Sequence, residues 1–132
     1  MKRIQHLTLV DDDEVFVFLA KKAIKQTNLV EQVKVFDNGQ EALGFLLENL
    51  RQPSELPEVI LLDLSMPVMD GWQFLHEFTK LSPNLSKKIK IFICSSSISP
   101  EEIEMAKEIN AVSDFIIKPI NKEKMIEVIQ KV

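Results

Sequence analysis

Five short apolar runs divide the chain, and each gives way to polar residues and then to apolar positions at helical spacing. Leu7-Thr8-Leu9-Val10 breaks into Asp11-Asp12-Asp13-Glu14, after which Phe16, Leu19, Ala20, Ala23, Ile24 and Thr27 supply one face of a helix. Val33-Lys34-Val35-Phe36 reads as a second strand with Asp37-Asn38-Gly39 as its turn. A helix opens at Glu41-Ala42-Leu43 and carries Leu43, Leu46, Leu47 and Leu50. Gln52 to Pro57, bounded by two prolines, is the clearest loop. Val59-Ile60-Leu61-Leu62 then runs directly into Asp63. Pro67 stops ladder pairing beyond it, and Asp70-Gly71 is expected to supply positive φ before a helix that starts near Trp72 and buries Trp72, Leu75 and Phe78.

Ser82-Pro83-Asn84 ends that helix. Ile89 to Cys94 forms the fourth strand, which terminates in Ser95-Ser96-Ser97. Ser99 caps a helix with Pro100, Glu101 and Glu102 in its first turn and Ile103, Ala106 and Ile109 facing inward. Phe115-Ile116-Ile117 is the fifth strand, followed at once by Lys118-Pro119. A last helix from about Asn121 turns Met125, Ile126, Ile129 and Val132 inward. Five strand-then-helix repeats, with strands that are continuous apolar runs instead of alternating ones, predict an α/β domain with helices on both faces of a five-stranded parallel sheet. The 132 residues form one domain, 1–132, with no room for a second.

Composition narrows the class. Apolar residues make up 45% and charged residues 27%, an ordinary globular balance. A net charge of −4 opposes direct nucleic-acid binding, which relies on a basic face. Lys87, Lys88 and Lys90 read as a solvated strand entry. Cys94 ends an apolar run and reads as a packed thiol in a reducing compartment. The N-terminus enters a strand without a signal peptide or membrane-length stretch, so a soluble cytoplasmic protein is expected.

In a doubly wound sheet the chemistry comes from loops after the strands. The polar residues there are Asp11, Asp12 and Asp13 after strand one, Asp63 after strand three, Ser95 and Ser96 after strand four, and Lys118 after strand five. Asp12 or Asp13 also suits the first helix cap, but four successive acids exceed what helix entry needs. Converging carboxylates repel unless a cation sits among them, and oxygen-only ligands favour Mg²⁺. Zinc is disfavoured, because His6 precedes the first strand and His76 lies inside the third helix. A carboxylate beside Mg²⁺ can attack phosphorus and become an aspartyl phosphate, with a lysine ammonium neutralising charge and a serine hydroxyl as a further contact.

These motifs, Leu7 to Asp12, Asp63-Leu64-Ser65-Met66-Pro67-Val68-Met69-Asp70-Gly71 and Lys118-Pro119, closely resemble the receiver domain of two-component response regulators over essentially the whole chain. The resemblance implies a flavodoxin-like (βα)5 fold with strand order 2-1-3-4-5. It implies Asp63 as phospho-acceptor, Asp11 and Asp12 as the acidic pair that positions Mg²⁺, and Ser65 as donor of a backbone carbonyl to the metal. Ser95 matches the switch hydroxyl, Phe115 the switch aromatic, and Lys118 the lysine before a typically cis proline, Pro119. Counting along the fourth strand favours Ser95, whereas counting back from Lys118 favours Ser96; strand register is the firmer ruler, because the loop into the next helix can absorb an inserted residue. Asp13 is expected to start the helix and is at most a secondary metal candidate.

By the same resemblance, the phosphoryl donor is a phosphohistidine on a sensor histidine kinase or histidine phosphotransfer protein, and the chain is a signalling phospho-acceptor and not a turnover enzyme. With no output domain expected after Val132, a stand-alone receiver signals to an unknown downstream protein through a changed surface or passes the phosphoryl group onward. The rival from another class is a receiver-like interaction module independent of phosphorylation, which has no physical need for so costly a charge cluster. An electron carrier binding FMN is opposed by the negative field of Asp11 to Glu14. A phosphatase of DxD type is opposed by Asp63-Leu64-Ser65, which lacks a second acid.

Overall fold

The apolar runs find the parallel neighbours that their lack of alternation calls for. In the computed structural model, which describes residues 2–132, the strands are β1 (Ile4–Val10), β2 (Val30–Phe36), β3 (Val59–Leu62), β4 (Lys90–Ser95) and β5 (Val112–Ile117). They alternate with α1 (Glu14–Thr27), α2 (Gly39–Glu48), α3 (Gly71–Leu81), α4 (Pro100–Lys107) and α5 (Lys122–Gln130). All pairings are parallel, and the order is β2-β1-β3-β4-β5, as expected. The chain reverses its direction of growth between β1 and β3, which opens a crevice at their carboxyl ends.

Alternate residues of the central strands feed two cores. Leu7, Leu9, Leu61, Phe92 and Ile116 pack with Phe16, Ala20 and Ile24 of α1 and Met125, Val128 and Ile129 of α5. Val10, Ile60, Leu62, Ile91 and Ile93 pack on the other face with Ala42, Leu46, Phe74, Leu75, Phe78 and Ala106. All four residues of β3 are buried, so each contributes roughly 1.5–3 kcal/mol of apolar transfer free energy, and the strand is held on both faces. Side-chain caps at Asp13, Asn38, Asp70, Ser99 and Asn121 start the five α-helices.

Several local expectations change. The strands β1, β2 and β5 each begin three residues earlier than their apolar runs, because each added segment is one apolar residue followed by two polar ones and so breaks the continuous run. Leu19 is exposed and does not join the inner stripe of α1, while Phe74 and Val128 are buried members of α3 and α5 that the spacing missed. Trp72 is half-buried at the rim. The register of β4 against β5 shifts between Ile91 and Phe92, which face Val112 and Asp114 and leave Ser113 as an extra residue. An inserted residue is thus accommodated inside β5.

The turn after Asp63 also works differently from the expectation. Positive φ falls on Val68, at 65°, and not on Gly71. Asp70 and Gln73 form a capping box at the start of α3. Gly71 is needed for close approach: a Cβ there would lie 2.5 Å from the Asp63 carbonyl oxygen and 2.7 Å from Leu64 Cα. Both are backbone atoms that cannot rotate away. Gly71→Ala is therefore expected to lower unfolding free energy by about 2–3 kcal/mol, or to displace the backbone of Asp63 and Leu64. Urea denaturation checks the first effect and amide shifts of the two residues the second; an unchanged midpoint with unchanged shifts contradicts the close approach.

Candidate functional site

The ladder continues one residue past three strand ends, and those three residues carry the less exposed charges of the site. Asp11 follows β1 and its N–H donates to the Phe36 carbonyl at 3.0 Å; Asp63 follows β3 and its N–H donates to the Val10 carbonyl at 2.9 Å. Lys118 follows β5, with its N–H donating to the Ser95 carbonyl at 2.9 Å. Each backbone is therefore fixed by a neighbouring strand while each side chain enters the crevice. Lys118 Nζ lies 2.8 Å from Asp11 Oδ2 and 3.6 Å from Asp63 Oδ1. Its stem is largely buried, and the ammonium stands 4.3 Å above the centre of the Phe16 ring.

Asp11 and Asp63 are buried and Asp12 is exposed, yet one carboxylate oxygen of each lies within 4.8 Å of the others. Asp11 Oδ1 accepts the Asp13 N–H at 2.9 Å. Asp11 Oδ2 is buried without a hydrogen bond of good geometry, so the nearby ammonium is its compensation. A converging set of carboxylate oxygens, one of them short of a donor, suits a hard divalent cation that keeps part of its water shell. Asp13 is outside this cluster: its Oδ1 accepts the N–H groups of Val15 and Phe16 and caps α1.

The other sequence candidates lie on the neighbouring strands. Ser95 closes β4 opposite Ile117, and its hydroxyl donates to the Ser97 carbonyl at 2.7 Å. Ser96 is exposed one residue beyond the strand. Phe115 is half-buried in β5, on the sheet face to which Ser95 belongs by alternation, and packs on the second core. Ser65 is exposed in the loop after Asp63, and a backbone hydrogen bond from it reaches the Asp63 carboxylate. The Lys118–Pro119 peptide is cis. Phe16 carried no sequence signal beyond an apolar helix position, because its contact with Lys118 joins α1 to the end of β5.

Burial pushes the Asp63 carboxyl up from its ordinary value, and the charges of Asp11 and Asp12 add to this; Lys118 and the Ser65 backbone pull it down without cancelling the rise. For Lys118, burial lowers the pKa, but contact with Asp11 and the charge of Asp63 outweigh it, so the ammonium is held. Cys94, packed beneath, is pushed up to about 12 by burial and stays a thiol.

A carboxyl raised on folding binds its proton more tightly in the folded state. Its ionisation therefore costs stability as pH climbs from the ordinary carboxylate range through the raised folded value, and the cost persists at neutral pH. Asp63→Asn removes that charge while Asp11 keeps Lys118 paired. The variant is expected to melt several degrees above the wild type in metal-free buffer at pH 7, with the gap closing toward pH 4. Thermal unfolding at both pH values measures this, and a variant less stable at pH 7 contradicts it.

Known proteins resemble this chain in sequence and fold. The chemotaxis protein CheY of Bacillus subtilis (strain 168) is 29% identical over 126 residues, covering 96% of this chain and 96% of that protein. A solved two-component response regulator from Cytophaga hutchinsonii superposes with a TM-score of 0.88 at 26% identity, covering 98% of this chain and 97% of that one. The fold also matches the Mn(2+)-bound form of response regulator Rcp1, with a TM-score of 0.75 at 23% identity over 96% of this chain and 90% of that one. Residues 7–130, from within β1 to the last residue of α5, match the family model of the response regulator receiver domain, and the chain belongs to that family.

Proposed function

We propose that Asp63 accepts a phosphoryl group from a phosphohistidine on a sensor histidine kinase or histidine phosphotransfer protein, in a Mg²⁺-dependent reaction in the cytoplasm. The observation that carries this reading is a buried carboxylate at the end of the central strand, clustered with Asp11 and Asp12 and 3.6 Å from an ammonium. A carboxylate oxygen of Asp63 attacks phosphorus, the P–N bond breaks, and its electron pair returns to the imidazole, which takes a proton from solvent. The product is an acyl phosphate. Asp11, Asp12 and Asp63, with the Ser65 carbonyl, are the groups that hold the metal, and the Mn²⁺ bound by Rcp1 is an ion of the same hard, oxygen-preferring class. When bound, Mg²⁺ offsets negative charge on the transferring oxygens.

Lys118 neutralises a phosphoryl oxygen by shifting its ammonium from Asp11 toward Asp63. Ser95 leaves the Ser97 carbonyl and donates to another phosphoryl oxygen, and Phe115 moves into the room so vacated. This couples one hydrogen bond to repacking along α4, β5 and α5, the surface offered to a downstream protein. Receiver domains are signalling phospho-acceptors, not classical enzymes.

Three experiments test the site and its switch. Acetyl phosphate with Mg²⁺ should add one base-labile phosphoryl group to the wild type and none to Asp63→Asn, read by intact mass; equal labelling of the variant moves the chemistry elsewhere. Millimolar Mg²⁺ should raise the melting temperature of the wild type in proportion to the logarithm of its concentration once the site fills, and Asp12→Ala should lose most of that rise. Ser95→Ala should keep phosphorylation but abolish the beryllofluoride-induced change at Phe115 in NMR spectra, whereas Ser96→Ala should leave it intact; the reverse pattern transfers the switch to Ser96.

A further inference from the structure

The ring of Phe16 is the unassigned group in direct contact with the site's ammonium. Lysine has a flexible four-carbon stem, and fixing it costs rotamer freedom. Lys118 is largely buried, so its ammonium has given up water, and its anionic neighbours at Asp11 and Asp63 stand at unequal distances, 2.8 Å and 3.6 Å. The face of Phe16 lies 4.3 Å below the ammonium. An aromatic face attracts a cation through its quadrupole, most strongly where water is excluded, and does so over an area instead of along one hydrogen-bond direction. Phe16 is itself buried, packed in the core with Ala20 and Ile24 of α1 and Ile116 of β5. The ring is therefore a fixed floor, anchored one turn inside α1 just after the Asp13 cap.

We infer that Phe16 is a positioning residue for phosphoryl transfer, whose ring face holds the Lys118 ammonium in the crevice and keeps it stabilised as it moves from Asp11 toward the phosphoryl oxygens on Asp63. This rests on the phospho-acceptor reading of Asp63. A carboxylate in the place of the ring would hold the ammonium still and add to the negative charge that the incoming phosphate must meet. An aliphatic side chain would leave the ammonium without a partner on that side. The aromatic face attracts the cation without adding net charge and tolerates a lateral shift, which a lysine serving two anions in turn requires.

The decisive comparison keeps shape and changes the ring's electrostatics. Phenylalanine at position 16 is replaced site-specifically by difluoro- and pentafluorophenylalanine, and by methionine in Phe16→Met, which keeps apolar bulk without a ring face. Phosphorylation by acetyl phosphate with Mg²⁺, followed by intact mass, should slow in the order of fluorination, reaching about three- to tenfold for the pentafluoro ring and for Phe16→Met. A packing role alone predicts rates that track melting temperature and not fluorination. Equal rates for the native and fluorinated rings in folded proteins overturn the proposal. Independently, the Lys118 side-chain ¹³Cε and Hε signals of the unphosphorylated wild type should carry a ring-current upfield shift that Phe16→Met removes; absence of that shift overturns the contact itself. A wild type that takes up no phosphoryl group refutes the reading of Asp63 while the ring-current result still decides whether Phe16 holds Lys118.

Discussion

One ammonium set among three carboxylates is the interaction on which the site depends. Asp11 and Asp63 are buried, and without Lys118 their charges would face each other across a few ångströms in a medium that screens poorly. The compensation is incomplete: Asp63 is still harder to ionise than an ordinary carboxylate, and one oxygen of Asp11 has no proper hydrogen-bond donor. Such a cluster is unfavourable by itself and becomes favourable when positive charge is added. Folding stability and ligand binding are thereby set against each other at the same few atoms, and the hydrophobic packing of β3 on both its faces offsets the cost.

Because that balance varies steeply with distance, the backbone beneath it has to be rigid. The extension of the hydrogen-bond ladder to Asp11, Asp63 and Lys118 provides this, as does the close seating of Gly71 against the carbonyl of Asp63. The α3 capping box fixes the far end of the same loop, leaving Val68 to carry the unusual backbone angle between two anchored ends. Rigid strands thus deliver the charges, whereas Ser96 and Ser97 are exposed beyond the end of β4.

Much of this was legible in the residues. Continuous apolar runs ending in Asp11, Asp63 and Lys118 marked buried parallel strands and the edge at which their charges meet. The caps Ser99 and Asn121 were visible as polar residues at helix entry. What could not be read depended on tertiary approach. The reason for Gly71 is a carbonyl eight residues back, and turn chemistry alone pointed to its backbone angle instead. Phe16 looked like any core position, since nothing local indicates that a lysine from the far end of the chain will lie over its ring. Asp13, expected at the start of the helix, does cap the first turn of α1 with its carboxylate.

The extra residue at Ser113 works as a phase adjuster between two adjacent strands. Upstream of it, Ile91 pairs with Val112; downstream, Phe92 to Ser95 pair with Asp114 to Ile117 in step. Chain length between α4 and the lysine can therefore change by one residue while the functional edge of the sheet stays in register, because the mismatch is taken up at the opposite end of β5. An alignment that places its gap within β4, ahead of Ser95, would pair Ser96 with the hydroxyl position of a shorter relative. One that places the gap at the bulge pairs Ser95, so the location of a single gap determines which hydroxyl is equated between two chains.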